Sequence, residues 1–478
     1  MGSPLHTVII GTGFAGLLMG RTLRHAGITD FTILEKSTSV GGTWRENTYP
    51  GAECDVPSAL YSYSFAPNPT WAFKFSRQRQ ILQYLNDFAD TQGLRPHIQH
   101  DQTVHALHWN EDTKLWRVET HSDTFRARHV VSAIGQLHIP NIPEFPGMDD
   151  CEGASFHTAE WDHCIDYRGL NVAVIGNAAT AVQVIPAIAP DVAQLTVYQR
   201  SPNWIIDKSD RPYTRLEQAL LRRLPKLSSL YRASIWAQGE FLLWPTIRGN
   251  RFTRALLTAQ NRWLLRKSFK DKATRARMTP DYPMGAKRIL LSRDIYPALA
   301  RSNVETVFDP IETFTTKGIQ AGRERTHDVV VFATGFQTNP FLKMIDVRGR
   351  GGRSIREQWS EGAHAYLGVS TAGFPNFHML YGPNTNTGHT SIVYKLEGQA
   401  DYILQLMQAA GDGALTVSAS DEDIYNTEVQ ARLRDLAFSK IEASWYKDGD
   451  RVTNNWMGSS REFRRRLRTP DLSKFERV

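Results

Sequence analysis

His6-Thr-Val-Ile-Ile10, Gly11-Thr-Gly13-Phe14-Ala15-Gly16, a helical pattern from Leu17 to Gly27 and then Phe31-Thr-Ile-Leu-Glu35 make up the stretch that decides the fold. The apolar, β-branched runs read as buried strands and the periodic segment between them as a helix. Gly11 allows the tight turn between strand and helix. Gly13 lets the backbone approach a pyrophosphate, and Gly16 permits close packing of helix on strand. The start of the helix offers free N–H groups and a positive dipole end to the phosphates. Glu35 closes the second strand, where a carboxylate can accept both hydroxyls of an unphosphorylated ribose. A glycine motif alone says little, but within strand, turn, helix and terminal acid it is specific.

A second unit repeats the arrangement. Asn171-Val-Ala-Val-Ile-Gly176 is followed by Asn177-Ala178-Ala179-Thr180-Ala181, which opens a helix, and the strand Gln194 to Gln199 ends at Arg200. Gly11 to Glu35 spans 24 positions, and so does Gly176 to Arg200. The two units therefore place opposite charges at the same structural point. A carboxylate repels a 2′-phosphate, whereas a guanidinium pairs with it through charge-assisted bonds. The first unit thus reads as an FAD site and the second as an NADP(H) site. Ala178 replaces the second glycine of the pattern, so NADPH is expected to bind more weakly or slightly displaced. The fold class expected is α/β, with two Rossmann-like dinucleotide-binding domains. Val130 to Gly135 and Asp328 to Gly335 read as strands ending in small-residue turns, suited to the crossings between domains. The expected division is 1–150 and 336–478 for FAD, with 151–335 for NADPH.

Composition narrows the class further. A chain of 478 residues, 41% hydrophobic and 22% charged, is ordinary for a globular protein of two or three domains. Cys54, Cys151 and Cys164 form no CxxC pair, which argues against a structural zinc, a disulfide framework and a dithiol reductase. The apolar start is interrupted by Gly11, Gly13 and Gly16 and lacks the flanks of a signal peptide. A cytoplasmic protein without an integral membrane span is expected, with a monomer favoured. The net charge of +7 is uneven, since residues 211–277 hold 16 Lys and Arg against 3 acidic residues. With Trp236, Phe241, Trp244, Phe252 and Trp263 interleaved, this stretch could be a membrane-surface or nucleic-acid patch. The preferred reading is a helical insertion, about 206–282, with solvated arginines outside and its aromatics turned to the core; no nucleic-acid partner is expected.

Several further motifs carry a family resemblance along nearly the whole chain. They include Gly41-Gly42-Thr43-Trp44, Tyr49-Pro-Gly-Ala-Glu-Cys-Asp55, Gly285-Ala-Lys-Arg288, Gly382-Pro-Asn-Thr-Asn386 and Thr453-Asn-Asn-Trp456. Cys151-Glu-Gly153-Ala-Ser-Phe-His157-Thr-Ala-Glu-Trp161-Asp162 matches a fingerprint FxGxxxHxxxW followed by Pro or Asp, except at its first position. In these motifs the chain resembles the class B flavoprotein monooxygenases, and among them the Baeyer–Villiger monooxygenases.

The resemblance implies an NADPH-dependent, FAD-containing enzyme that inserts one atom of O2 beside a ketone carbonyl, giving an ester or lactone through a flavin peroxide. It implies Arg288 as the cation beside the reacting oxygen and Asp55 as its partner, and it places Gly153, His157, Trp161 and Asp162 in the domain linker. It adds Lys36, Gly42, Thr43, Trp44, Tyr61, Val104 and Asn386 to the FAD contacts, with Asn384 and Thr385 beside them, and Ser201 to the NADPH contacts. Gly51 reads as a point of close approach to the flavin ring, and Trp204 as packing. Rival readings are an N- or S-oxygenating monooxygenase and an NADPH-dependent flavoprotein reductase or oxidase. A non-enzymatic module binding through the basic insertion is the remotest.

Overall fold

The computed structural model describes residues 3–441 and 444–478. Leu5–Ile10 and Phe31–Leu34 are apolar and mostly buried, as strands covered on both faces must be. They pair in parallel with Val8 beside Thr32, and Leu5–Ile10 also pairs in parallel with Thr124–Ser132, Val8 facing Val130. Around this centre the first sheet runs in the order Asp346–Arg348, Val104–Asn110, Leu115–Thr120, Thr124–Ser132, Leu5–Ile10, Phe31–Leu34, Ile98–Gln99, with Phe377–Met379 added against Thr124–Ser132. The helix Phe14–His25 lies over it, sharing a core with the long helix Ile392–Ala410 through Leu17, Leu18, Leu396 and Ile403.

The second sheet has five strands, all parallel: Val304–Val307, Gln194–Tyr198, Asn171–Ile175, Val329–Phe332 and Ala154–His157. The two sheets repeat one detail. Gly11 has φ +103°, and a Cβ there would lie 2.9 Å from the Ala133 carbonyl oxygen. Gly176 has φ +114°, and a Cβ there would lie 2.4 Å from the Ala333 carbonyl oxygen. Each phosphate-loop glycine is thus pressed against the turn that ends the neighbouring strand, so only glycine fits.

After those turns the chain crosses between the sheets twice, and the crossings are bonded to each other. Asn141 N–H donates to Gly335 O and Gln337 N–H to Ile139 O, both at 2.9 Å. The Thr334 hydroxyl adds a bond to Asn141 O.

The basic stretch forms helices at Arg215–Arg223, Pro225–Gln238, Trp244–Ile247, Arg251–Ser268 and Lys272–Arg277, with a π-helical turn at Gly239–Leu243. A two-strand pairing of Ile205–Ile206 with Leu290–Leu291 closes its base. The expectation that its aromatics face the core fails for three of them: Phe241 is 72% exposed, Phe252 77% and Trp263 56%. For Phe252 and Trp263 the cause lies in the periodicity of Arg251–Ser268, which carries two apolar stripes. Leu257, Leu264 and Leu265 are buried, while Phe252, Leu256 and Trp263 recur at helical spacing on the uncovered side.

Candidate active site

The first nucleotide cradle is built from backbone. Gly42 has φ +52°, and a Cβ on it would stand 3.1 Å from the Cα of Gly13. Two side-chain-free turns therefore meet where phosphate oxygens need close approach. The helix Phe14–His25 starts at Gly13 with no capping side chain and no acid in its first turn, leaving amide groups for an anion. Glu35 is buried. Its Oε2 accepts from the Thr12 amide at 3.0 Å and from the Thr12 hydroxyl, and its Oε1 accepts from Arg45 at 3.0 Å and from the Ser37 amide at 3.1 Å. Lys36 pairs with Glu46 at 3.0 Å on the rim. Gln102 N–H donates to Glu35 O at 2.8 Å, which carries the chain past Glu35 to the buried Val104.

The other end of this cradle is aromatic. Trp44 Nε1 donates to the Tyr61 hydroxyl at 3.1 Å, and Tyr61 meets Phe14 edge-on at 5.0 Å. Thr43 opens the short helix that carries Trp44, and Ala15 is buried in the first turn behind Phe14. Asn386 is held by the Tyr381 hydroxyl at 2.8 Å and donates to Asn455 Oδ1 at 2.7 Å. Asn384 and Thr385 are turned to their own loop and its neighbours: Asn384 donates to Val452 O and Asn455 O, and Thr385 to Gly382 O. Gly51 makes one close approach that its sequence did not announce. Its φ is +81°, and a Cβ would lie 2.5 Å from Gln183 O, so this glycine admits the helix Ala181–Ile188.

Between the two sheets lies a buried charged group. Asp55, in the Tyr49–Asp55 loop, has Arg288 Nη2 3.5 Å from its Oδ2, Lys208 Nζ 3.9 Å from its Oδ1, and Gln183 Nε2 donating to that Oδ1 at 3.1 Å. Gln183 also takes the Tyr49 hydroxyl at 2.8 Å and donates to Glu53 O at 3.0 Å. Lys208 is 4% exposed and pairs with Glu53 as well. Burial pulls its pKa below the ordinary lysine value, against the pull of Asp55. Burial also works against the Arg288 charge, but Asp55 foremost, with Tyr446, Cys54 and Tyr381 around it, leaves its pKa above the usual arginine value. The guanidinium is permanently charged. Burial pushes the neighbouring Cys54 thiol up to about 12, so that cysteine stays a neutral packing group.

The second cradle gathers Asn177, Ser201, Arg200 and Lys287. Asn177 Nδ2 donates to Gln199 Oε1 at 2.9 Å and to Ser201 O at 2.6 Å, fixing the turn after Gly176. Ala178 is exposed, with Ala179 and Thr180 completing the turn before Ala181 enters the helix. Lys287 Nζ reaches Ser201 Oγ at 3.0 Å beside the exposed Arg200. Burial, and then Arg200, lower the Lys287 pKa.

The fingerprint residues lie along the edge strand of the second sheet, Ala154–His157, with Gly153 just before it and Trp161 and Asp162 just after it. A Cβ on Gly153 would lie 2.8 Å from His327 O, so glycine is required there. His157 is fully buried; its Nδ1 accepts from the Ala159 amide at 3.1 Å, and its ring meets Phe336 of the return crossing edge-on at 5.6 Å. Trp161 packs edge-on against Phe156 at 5.1 Å, and Asp162 accepts from the Cys164 amide at 2.8 Å. Cys151 packs beside Phe145 and Met148. Trp204 is buried with Ile206, Leu257 and Met284.

Lys208, Gln183, Lys287 and Tyr446 were not singled out by the sequence. Only Lys287 carried a signal, as the neighbour of Arg288. The others reach the site through folding alone.

Residues 8–238 match the family model of the pyridine nucleotide-disulphide oxidoreductases. A Baeyer-Villiger monooxygenase of Streptomyces coelicolor is 41% identical over 99% of this chain and 92% of its own length. One of Pseudomonas aeruginosa is 39% identical over 98% of this chain and 90% of its own. The crystal structure of the OTEMO complex with FAD and NADP is 27% identical and superposes with a TM-score of 0.89 over 100% of both chains.

Proposed function

The chain belongs to the Baeyer–Villiger monooxygenases, and from that premise we propose that it uses FAD, NADPH and O2 to insert one oxygen atom beside a ketone carbonyl. The product is an ester or lactone. The residues present fit both cofactors. Gly13 and Gly42 meet without side chains, the helix after Gly13 is uncapped, and the two cations Arg200 and Lys287 flank Ser201. FAD, when bound, supplies the redox and oxygen chemistry.

The chain's own residues supply position and charge. Glu35 would offer the adenosine ribose a buried carboxylate as hydrogen-bond acceptor. Arg200 and Lys287 distinguish NADPH from NADH by pairing with the 2′-phosphate. Asp55 holds Arg288 by charge, and Gln183 and Lys208 hold Asp55. A guanidinium that cannot lose its proton stabilises negative charge as it develops on the ketone oxygen. It likewise favours an anionic oxidant, which attacks an electrophilic carbonyl and not a thioether or amine. The observation that carries this reading is the Arg288–Asp55 contact at 3.5 Å, its carboxylate buried and its guanidinium partly open to solvent.

The test is aerobic turnover with NADPH of a compound carrying both a ketone and a thioether, with products identified by mass spectrometry and NMR. Ester or lactone is expected from the native chain, and Arg288→Ala is expected to oxidise NADPH without forming it. Sulfoxide as the sole product, or full ester yield from Arg288→Ala, would overturn the assignment.

A further inference from the structure

The insertion has an inner and an outer side. Its inner end is tied to the rest of the chain: Glu240 accepts from the Ser460 amide at 2.7 Å and meets His389 at 3.3 Å, and the buried Ile247 lies against Gly285. Its outer side is apolar and basic at once. Along Arg251–Ser268, Phe252, Leu256 and Trp263 form an exposed stripe at helical spacing, 77%, 52% and 56% exposed. Exposed Arg251, Arg262, Arg266 and Lys267 border the stripe. The acids of this stretch are already engaged: Glu217 binds Arg211, Glu240 is buried against His389, and Asp271 caps the next helix. The excess of positive charge therefore faces outward.

We propose that this outer face docks on an anionic lipid bilayer. Exposing side chains this large and apolar to water is unfavourable and moving them into the headgroup–acyl boundary is favourable, while arginines around them pair with anionic headgroups. Lys267 Nζ stands 5.4 Å from the centre of the Trp263 ring, a cation at the edge of an apolar stripe, as an interfacial helix requires. A two-fold contact with a second copy would lay this basic patch against itself. Phosphodiesters and base edges offer the exposed apolar stripe nothing. No helix of the described residues is long and apolar enough to cross a membrane, so the attachment is peripheral. It is independent of the reaction proposed above.

The experiment is flotation of the full-length FAD-loaded protein with vesicles of phosphatidylcholine alone or containing about 30 mol% phosphatidylglycerol, at low salt and at roughly 0.5 M salt. Binding to the anionic vesicles is expected, weakened by salt. The triple change Phe252→Ser, Leu256→Ser, Trp263→Ser is expected to reduce it by about tenfold or more. Changing Arg262, Arg266 and Lys267 to Gln is expected to reduce it by about fivefold per charge. These positions are exposed, so circular dichroism is expected to be unchanged, and the salt response of the native chain tests the idea without any variant. Equal binding to both vesicle types, absence of binding to either, or undiminished binding by the serine variant would each overturn the proposal. So would a lipid-free dimer that the serine variant abolishes, or binding to polyuridylate that survives it.

Discussion

Replacing Lys287 by Met tests the charge assignment of the second cradle where the structure is most specific. The ammonium lies 3.0 Å from Ser201 Oγ and is half-buried beside Arg200, while its stem runs toward Tyr282, whose ring centre is 4.8 Å from Nζ. Methionine keeps the stem and removes the charge. A charge-assisted contact of this kind contributes about 1.5–3 kcal/mol, so the dissociation constant of NADPH is expected to rise about 13- to 160-fold. NADH, lacking the 2′-phosphate, is expected to change by less than about twofold. The assay is anaerobic flavin reduction by stopped flow, with affinity taken from the dependence of rate on nucleotide concentration and the limiting rate unchanged. Arg200→Ala should act on the same phosphate, so the double variant should lose less than the two single losses together. Because burial and Arg200 lower the Lys287 pKa, native affinity for NADPH should fall as pH rises through it, a trend absent from Lys287→Met. Parallel losses for NADPH and NADH would refute the reasoning, since Lys287 would then be shaping the cradle and not reading the phosphate.

Lys208→Met removes one of three groups that hold Asp55, and ester formed per NADPH oxidised is expected to drop about tenfold, with Lys208→Arg recovering part of it. Unchanged coupling would remove Lys208 from the site. Gly153→Ala drives a methyl toward His327 O and is expected to cost about 1–3 kcal/mol, read as a lower urea midpoint. Acid stability follows from histidines buried neutral: burial lowers His378 to about 3 and His327 to about 4. The unfolded chain binds these protons near pH 6.5 and the native one does not, so stability is full above about 6.5 and falls as pH drops toward 3. The cost approaches about 4 kcal/mol for His378 alone. A shallower fall of the unfolding midpoint between pH 6.5 and 4 in a His378→Asn, His327→Asn background than in the native chain is the expected pattern, the remainder coming from other histidines buried neutral, such as His129.

The parts of this fold that were legible are those where chemistry is local. Gly11, Gly16 and Gly176 were read as glycines by necessity, and each would push a Cβ into a backbone oxygen less than 3 Å away. Glu35 and Arg200 could be placed because one strand and one helix fix their distance from the glycine turn. Gln183 and Lys208 could not, because they stand 128 and 153 positions from Asp55 and nothing in their neighbours marks them. The contact of Gly51 with Gln183 O was not foreseen, since a glycine announces close approach without saying to what. The aromatics of the insertion failed for a related reason. Periodicity finds a helix with two apolar stripes, but only packing decides which stripe is covered.

The paired crossings have a mechanical consequence. Two strands joined side by side by Asn141–Gly335, Gln337–Ile139 and Thr334–Asn141 form a ribbon. Stretching or shearing it would break those bonds together, whereas twisting it costs only small changes in backbone torsion spread over several residues. Taken by themselves, the crossings therefore resist translation and yield to rotation. His157 touches the ribbon at Phe336, edge-on at 5.6 Å, so the buried end of the second sheet's edge strand rests directly on the return crossing.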